Sequence, residues 1–208
     1  MDVAVIGAGN VGSALAASLT KAGHSVAITA TSREKAERVA EETGARAAGS
    51  NREAAEASEV VILAIPAEAI DDVVGELEGV LDGKVVVDPT NRFDPNDPGS
   101  VLDGSSVAER IKARVPGAHV AKAFNTVLGG HMSDPAVDGQ QVDAFVAGDD
   151  GARPAVIELA EAIGFRPLDV GPLAIARVLE GMALVNISLN MTNGWSWQTE
   201  WKLLGPTG

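Results

Sequence analysis
Apolar positions along the chain fall into two alternating rhythms. Short, nearly unbroken apolar runs at Val3–Ile6, Val60–Ile65, Lys84–Asp88, His119–Ala123 and Val142–Ala147 read as strands buried on both faces. Ser25–Ala30, Ala45–Ala48 and Arg166–Asp169 read as further strands of the same series. Between these runs the apolar residues recur about four apart. Val11, Leu15 and Leu19 place a helix over Asn10–Ala22, closed by Gly23. Helices also follow at Arg33–Glu42, Arg52–Ala57, Ala67–Leu81, Val107–Arg114, Ala152–Ile163 and, as one long apolar stretch, Leu173–Met191. Ser106 and Glu109 have the spacing of a capping box in front of the fifth of these helices. Pro89–Ser106 is a long loop rich in Pro, Asp, Asn and Gly. Asn193–Gly208 is polar and aromatic and holds all three tryptophans. Strand–helix alternation of this kind predicts an α/β fold: a Rossmann-type, doubly wound parallel sheet with a small C-terminal α/β extension. A seam near residues 123–130 divides it into residues 1–123 and 124–208.

Composition narrows the chemistry. The chain has 208 residues, of which 46% are hydrophobic and 22% charged, and it has no cysteine. That length suits one domain with an appendage and a core that needs no staples. Disulfides, a thiolate nucleophile and a cysteine-held metal are excluded, and three scattered histidines, His24, His119 and His131, argue against a zinc site, so no metal is expected. No run reaches the ~18 apolar residues of a membrane span, and Met1 leads straight into the first strand, so a cytoplasmic protein with no signal peptide is expected. Sixteen basic against 29 acidic residues give a net charge of −13, which disfavours nucleic acid as a partner. An acid-rich surface poor in lysine also suits a salt-rich cytoplasm.

The main chemical signal is Gly7-Ala8-Gly9-Asn10-Val11-Gly12, directly after a strand and at the opening of a helix. In that context Gly7 permits the tight turn, Gly9 lets a pyrophosphate approach the backbone, and Gly12 lets the helix pack on the sheet. The helix start, with Asn10 and Val11, supplies amide donors to the phosphates. At the end of the second strand, where an acid would mark a free ribose 2′-hydroxyl, the chain reads Ala30-Thr31-Ser32-Arg33-Glu34-Lys35. Thr31, Ser32, Arg33 and Lys35 suit a 2′-phosphate, so NADP(H) is the expected dinucleotide; a solvated helix cap is the plainer role for Arg33 and Lys35. Ala64, Ile65 and Pro66 end the fourth strand and offer a wall for the nicotinamide. Asn91, after the fifth strand, is a further contact or a turn residue. Lys122 lies inside an apolar run and needs a partner or a cleft. Asn125, Thr126, Leu128, Gly129 and His131 follow the sixth strand on the same side, although a lone loop histidine is more often simply exposed.

These motifs, with Lys122–Thr126, Ala147–Asp150 and the stretch Gly164–Leu173 followed by Ala176, Arg177 and Glu180, resemble in order the coenzyme F420-dependent NADP oxidoreductase family. The stretch Gly164–Leu173 is also similar to the NADPH-binding domain of the STEAP ferric reductases. The resemblance implies hydride transfer between NADP(H) and the deazaflavin coenzyme F420, with the acceptor held between a Rossmann domain and a small C-terminal part that also carries a homodimer contact. It implies that Gly9, Asn10 and Val11 hold the pyrophosphate. The segment Asn125–Gly130 is closer to the STEAP-type relatives, which keeps FMN or FAD, or ferric iron, as alternative acceptors. A non-catalytic NADP(H) sensor is the alternative outside enzymes. Trp195, Trp197 and Trp201 close the cleft, form a dimer contact or pack the tail.

Overall fold
The structure, a computed structural model, describes residues 1–94 and 97–205. Eight strands form one sheet: β1 (Asp2–Ile6), β2 (Ser25–Thr29), β3 (Arg46–Ala47), β4 (Val60–Leu63), β5 (Val85–Asp88), β6 (His119–Lys122), β9 (Asp143–Gly148) and β10 (Arg166–Gly171). Their order across the sheet is β10-β9-β6-β5-β4-β1-β2-β3. β3 to β6 and everything between them are parallel, whereas β9 runs antiparallel to β6 and parallel to β10. The expected doubly wound, mostly parallel sheet thus carries one antiparallel ladder, between β6 and β9. The chain leaves β6 through a long loop rather than a crossover helix, so it re-enters the sheet from the opposite end. The sheet runs unbroken across residue 123.

Alternate residues of each strand serve opposite faces, as strand geometry requires. Val3 and Val5 of β1 join Leu15 and Leu19 of α1 (Asn10–Lys21), Val39 of α2 (Arg33–Thr43) and Leu159 of α6 (Arg153–Ala162). Ala4 and Ile6 join Ala54 of α3 (Asn51–Glu56), Val74 of α4 (Ile70–Glu76) and Ile111 of α5 (Val107–Arg114). Ser106 and Glu109 form the expected capping box. The helix expected over Ala67–Leu81 is a 3₁₀ turn, Ala67–Ala69, followed by the short α4. It ends at Leu77, with Gly79 at φ +81° in the turn beyond, while Leu77 and Leu81 stay buried there and so extend the apolar pattern. The expected loop before β9 contains a small hairpin, β7 (Ala136–Val137) with β8 (Gln140–Gln141). Asp138-Gly139 turns it with φ +50° and +74°, the left-handed pair that such hairpins require.

The last helix, α7 (Ala176–Asn193), is preceded by a 3₁₀ turn and ended by Gly194 at φ +63°. Its stretch Leu173–Asn193 is long and apolar enough to cross a membrane by length and composition, a point the run-length criterion passed over. In the fold it packs on the 3₁₀ turn Pro98–Leu102, α5, β6 and β9.

Beyond α7 the tail doubles back over the sheet edge. Asp143, buried in β9, accepts from Arg166 and Lys202 and from the Leu203 amide at 2.5–3.1 Å. Burial pushes the Asp143 carboxyl up, but these bonds outweigh it and hold it below the ordinary 3.8. A depressed carboxyl contributes stability that is present above 3.8 and lost as pH falls through the folded value. Glu200 acts in the opposite sense, because burial raises its carboxyl. Asp143→Asn separates the two. Since all three tryptophans lie in the tail, this substitution is expected to shift tryptophan emission to the red at neutral pH while far-ultraviolet circular dichroism is unchanged.

Candidate functional site
The site begins where β1 ends. Gly7 has φ +109°, and its amide donates to the Thr29 carbonyl at 3.2 Å. A Cβ there would lie 2.3 Å from the Ala64 oxygen, and one on Gly12 would lie 2.0 Å from the Gly7 oxygen. Both glycines are therefore demanded by the protein's own packing, which draws α1 onto the segments that leave β1 and β4. At Gly9 a Cβ would meet nothing within 4 Å. Gly9 is also the N-cap of α1 and makes no side-chain cap, so first-turn amides are left for a ligand. They open onto a cleft of about 530 Å³ lined by Gly9, Asn10, Val11, Ala64, Ile65, Ala67, Pro89, Thr90 and Asn91. The cleft lies at the carboxyl ends of β1, β4 and β5, where the strand order reverses. Pro66 does not line it, contrary to expectation. The proline starts the 3₁₀ turn, with φ −56° and ψ 143°, and Ala67 faces the cleft instead.

At the end of β2, Thr31, Ser32 and Arg33 are exposed. Ser32 caps α2 by accepting the Lys35 amide at 3.3 Å. Arg33 is paired with Glu37 at 2.7 Å. The Glu34 carboxyl is held below its ordinary range by its own backbone amide and by the Ser32 hydroxyl, so it turns back on the helix start. The Lys35 ammonium has no ion-pair partner among the described residues.

The far wall is Pro89, Thr90 and Asn91, which follow β5, backed by β6 and the segment after it. Lys122, for which the sequence left open a buried partner or a place at the dinucleotide, has a fully buried side chain. Its ammonium donates to Asp88 Oδ2 at 2.7 Å and to the Thr90 carbonyl at 2.7 Å, and it forms an ion pair with Glu180 Oε1 of α7 at 2.8 Å. It stands behind the wall, which favours the paired role over a contact with the dinucleotide. Asn91 and Asn125 form a reciprocal pair: Asn91 Nδ2 donates to the Asn125 carbonyl at 2.7 Å, and Asn125 Nδ2 to Asn91 Oδ1 at 2.9 Å. Phe124, at φ +65° and stacked near Phe165 with ring centroids 5.8 Å apart, makes the sharp bend that lets Asn125 reach across. Thr90 Oγ1, Asn125 Oδ1 and Thr126 Oγ1 are buried polar atoms without a protein partner. Of these residues only Thr90 lines the cleft, where its free hydroxyl suits a polar ligand group such as a carboxamide; Asn125 and Thr126 lie behind it.

Leu128 and Gly129 continue past this wall, and the turn Gly129–His131 borders α1. His131 does not reach the cleft. It is buried, with Nδ1 2.9 Å from Glu200 Oε1 and Nε2 3.2 Å from Gln198 Oε1, and Glu200 also accepts the Leu128 amide at 2.8 Å. It anchors the tail, a second correction. Trp201 packs beside Phe145 and Leu179, while Trp195 and Trp197 are about half exposed. Sequence reasoning missed Thr90, Ala67 and Pro89 as lining residues, and Glu180 and Glu200 as anchors. The carboxylates of α7 and the tail lie far along the chain from their partners, so no spacing announces them.

The fold and cleft define a Rossmann-type dinucleotide-binding protein. A family model described as NADP oxidoreductase coenzyme F420-dependent matches residues 2–92. The chain is 35% identical to the F420-dependent NADP reductase of Methanothermobacter marburgensis, over 93% of this chain and 94% of that one. It is 33% identical to the metalloreductase STEAP3 of Rattus norvegicus, over 64% of this chain but 26% of that one. A crystal structure from Arthrobacter sp. FB24, provisionally assigned as an F420-dependent NADP reductase, superposes with a TM-score of 0.87 at 26% identity, covering 99% of this chain and 100% of that one. The chain belongs to the family of F420-dependent NADP oxidoreductases.

Proposed function
We propose that this protein is an oxidoreductase that transfers a hydride between NADP(H) and coenzyme F420. The observation that carries the reading is the cleft itself: backbone open at Gly9, an apolar wall at Ile65, and no ionisable side chain among its lining residues. Bound there, the nicotinamide supplies or accepts the hydride at C4 and the deazaflavin exchanges it at C5. That chemistry asks the protein for proximity, orientation and exclusion of water rather than for an acid–base pair. Gly9, Asn10 and Val11 hold the pyrophosphate. Ala64, Ile65 and Ala67 pack the nicotinamide, and Thr90 and Asn91, backed by Asn125, face its polar edge. Thr126, Leu128 and Gly129 border the acceptor, so, apart from Asn125, residues 1–123 serve the dinucleotide and 124–208 the acceptor and the dimer. The test is an anaerobic acceptor panel with NADPH: F420, FMN, FAD and ferric citrate. Turnover of F420 above the others is expected. Turnover of a flavin or of ferric iron instead favours the chemistry of the STEAP relative, and NADPH binding with no turnover favours a sensor.

NADP(H) is favoured over NAD(H) by the hydroxyls of Thr31 and Ser32 and the unpaired Lys35 at the end of β2. Lys35→Ala is expected to raise KM for NADPH about tenfold, the size of one hydrogen bond to a charged group, with KM for NADH unchanged. Steady-state kinetics with both dinucleotides check it.

A homodimer formed through α7 fits the same reading. Val178, Val185, Leu189 and Met191 are exposed along that helix, beside a groove of about 480 Å³ lined also by Val101 and Met182. No charged residue occurs from Gly181 to Asn193 in a chain of net charge −13. Two such acidic copies meet with least repulsion on that face. The acidic surface and the dinucleotide substrate agree with a cytoplasmic setting, with no nucleic acid or membrane partner.

A further inference from the structure
The buried Asp88–Lys122–Glu180 cluster has a geometry beyond what packing requires. Three charged side chains from β5, β6 and α7 meet with none of their surface exposed. Burial of ions is costly, and replacement by apolar groups is commonly neutral or stabilising, so stability alone is a weak reason for such a cluster. Its bonds converge on one residue of the cleft wall. Asp88 Oδ1 accepts the Thr90 amide at 2.8 Å, and Lys122 Nζ donates to the Thr90 carbonyl at 2.7 Å. The peptide groups on both sides of Thr90 are thus held by one ion pair. Glu180 completes the grip from α7, and its Oε1 also accepts the Val107 amide at the start of α5 at 2.9 Å. Next along the chain is Asn91, whose carboxamide spans to Asn125.

We propose that Lys122 is a positioning residue for the nicotinamide half of the dinucleotide. Held between Asp88 and Glu180, it fixes Thr90 and so sets the Asn91–Asn125 pair against which the nicotinamide rests. The proposal rests on the dinucleotide reading above. It assigns to Lys122 no contact with the ligand, and it predicts an effect confined to one half of that ligand. The phosphate half is held by the Gly7–Gly12 loop and the end of β2, which the cluster does not touch.

The test uses two ligands that share the phosphate half: NADP⁺ and 2′-phospho-ADP-ribose, which lacks the nicotinamide. The neutral triple variant Asp88→Asn/Lys122→Met/Glu180→Gln preserves size, and an asparagine oxygen still accepts the Thr90 amide. Calorimetric titration of the folded variant is expected to show NADP⁺ weakened about tenfold and 2′-phospho-ADP-ribose unchanged within about twofold. Hydride transfer at saturating NADPH is expected to slow by about 10²-fold, the size of a misplaced reacting ring. Equal weakening of both ligands, or of neither, overturns the proposal. If the triple variant does not fold, Asp88→Asn alone carries the same test. It leaves one ammonium facing one carboxylate, and the carboxamide nitrogen now facing Lys122 pushes it off Thr90. A split of threefold or more between the two ligands supports the proposal, and no split overturns it. Failure of the wild-type protein to bind either ligand would sink the dinucleotide reading itself, a separate result.

Discussion
Gly12→Ala is expected to lower stability by about 3 kcal/mol and to abolish dinucleotide binding. The added Cβ would sit 2.0 Å from the Gly7 oxygen and 3.2 Å from the Ala64 Cβ. Neither is the end of a flexible side chain, so α1 must back away from the sheet, at the upper end of the usual cost of overpacking. Gly9→Ala provides the contrast. Its Cβ meets no protein atom within 4 Å, and its φ of −83° suits alanine. The only structural loss is a better N-cap residue, about 0.5–1 kcal/mol. Yet binding of NADP⁺ is expected to fall at least tenfold, because the methyl group occupies space that the pyrophosphate needs. Urea unfolding and calorimetric titration of the two variants check the pair. Loss of stability at Gly9 to match that at Gly12 would make Gly9 a packing residue and remove the main structural argument for a phosphate site.

Lys122→Met is expected to cost about 3–5 kcal/mol in urea unfolding, the usual result of removing one partner from a buried ion cluster. Two carboxylates, Asp88 and Glu180, are then left facing each other with no cation between them. Adding Asp88→Asn and Glu180→Gln to the same chain removes both stranded charges and is expected to recover most of the loss. A single variant as stable as the wild type would show that the cluster's charges are compensated by other means.

The sheet was legible because its central strands are short runs of apolar, mostly β-branched and alanine residues bounded by turns. The glycine turn between β1 and α1 was legible because Gly7, Gly9 and Gly12 answer to local geometry that spacing alone encodes. What escaped has physical reasons. Leu77 and Leu81 continue an apolar rhythm although they lie beyond α4, since buried turns need apolar residues as helices do. Asp138-Gly139 carried a hairpin signal between strands of two residues each, too short for alternation to show. Lys122 stood out as a buried cation, but its second anion comes from Glu180, 58 positions later, a contact that only the packing of α7 on β6 creates. His131 followed the same logic, since Glu200 and Gln198 reach it through the fold of the tail. Contacts of this kind depend on three-dimensional closure, so residue type named the need for a partner and the structure supplied it.

In the proposed reaction a hydride passes directly between nicotinamide and deazaflavin within this cleft, with no acid–base group and no solvent proton at the transferred position. The most direct measurement is an anaerobic reaction of F420 with NADPH that carries deuterium at the transferable C4 position. Mass spectrometry of the reduced deazaflavin is expected to find that deuterium retained on its carbon. Reduced deazaflavin without the label, or NADPH oxidised while F420 stays unreduced, would contradict the account.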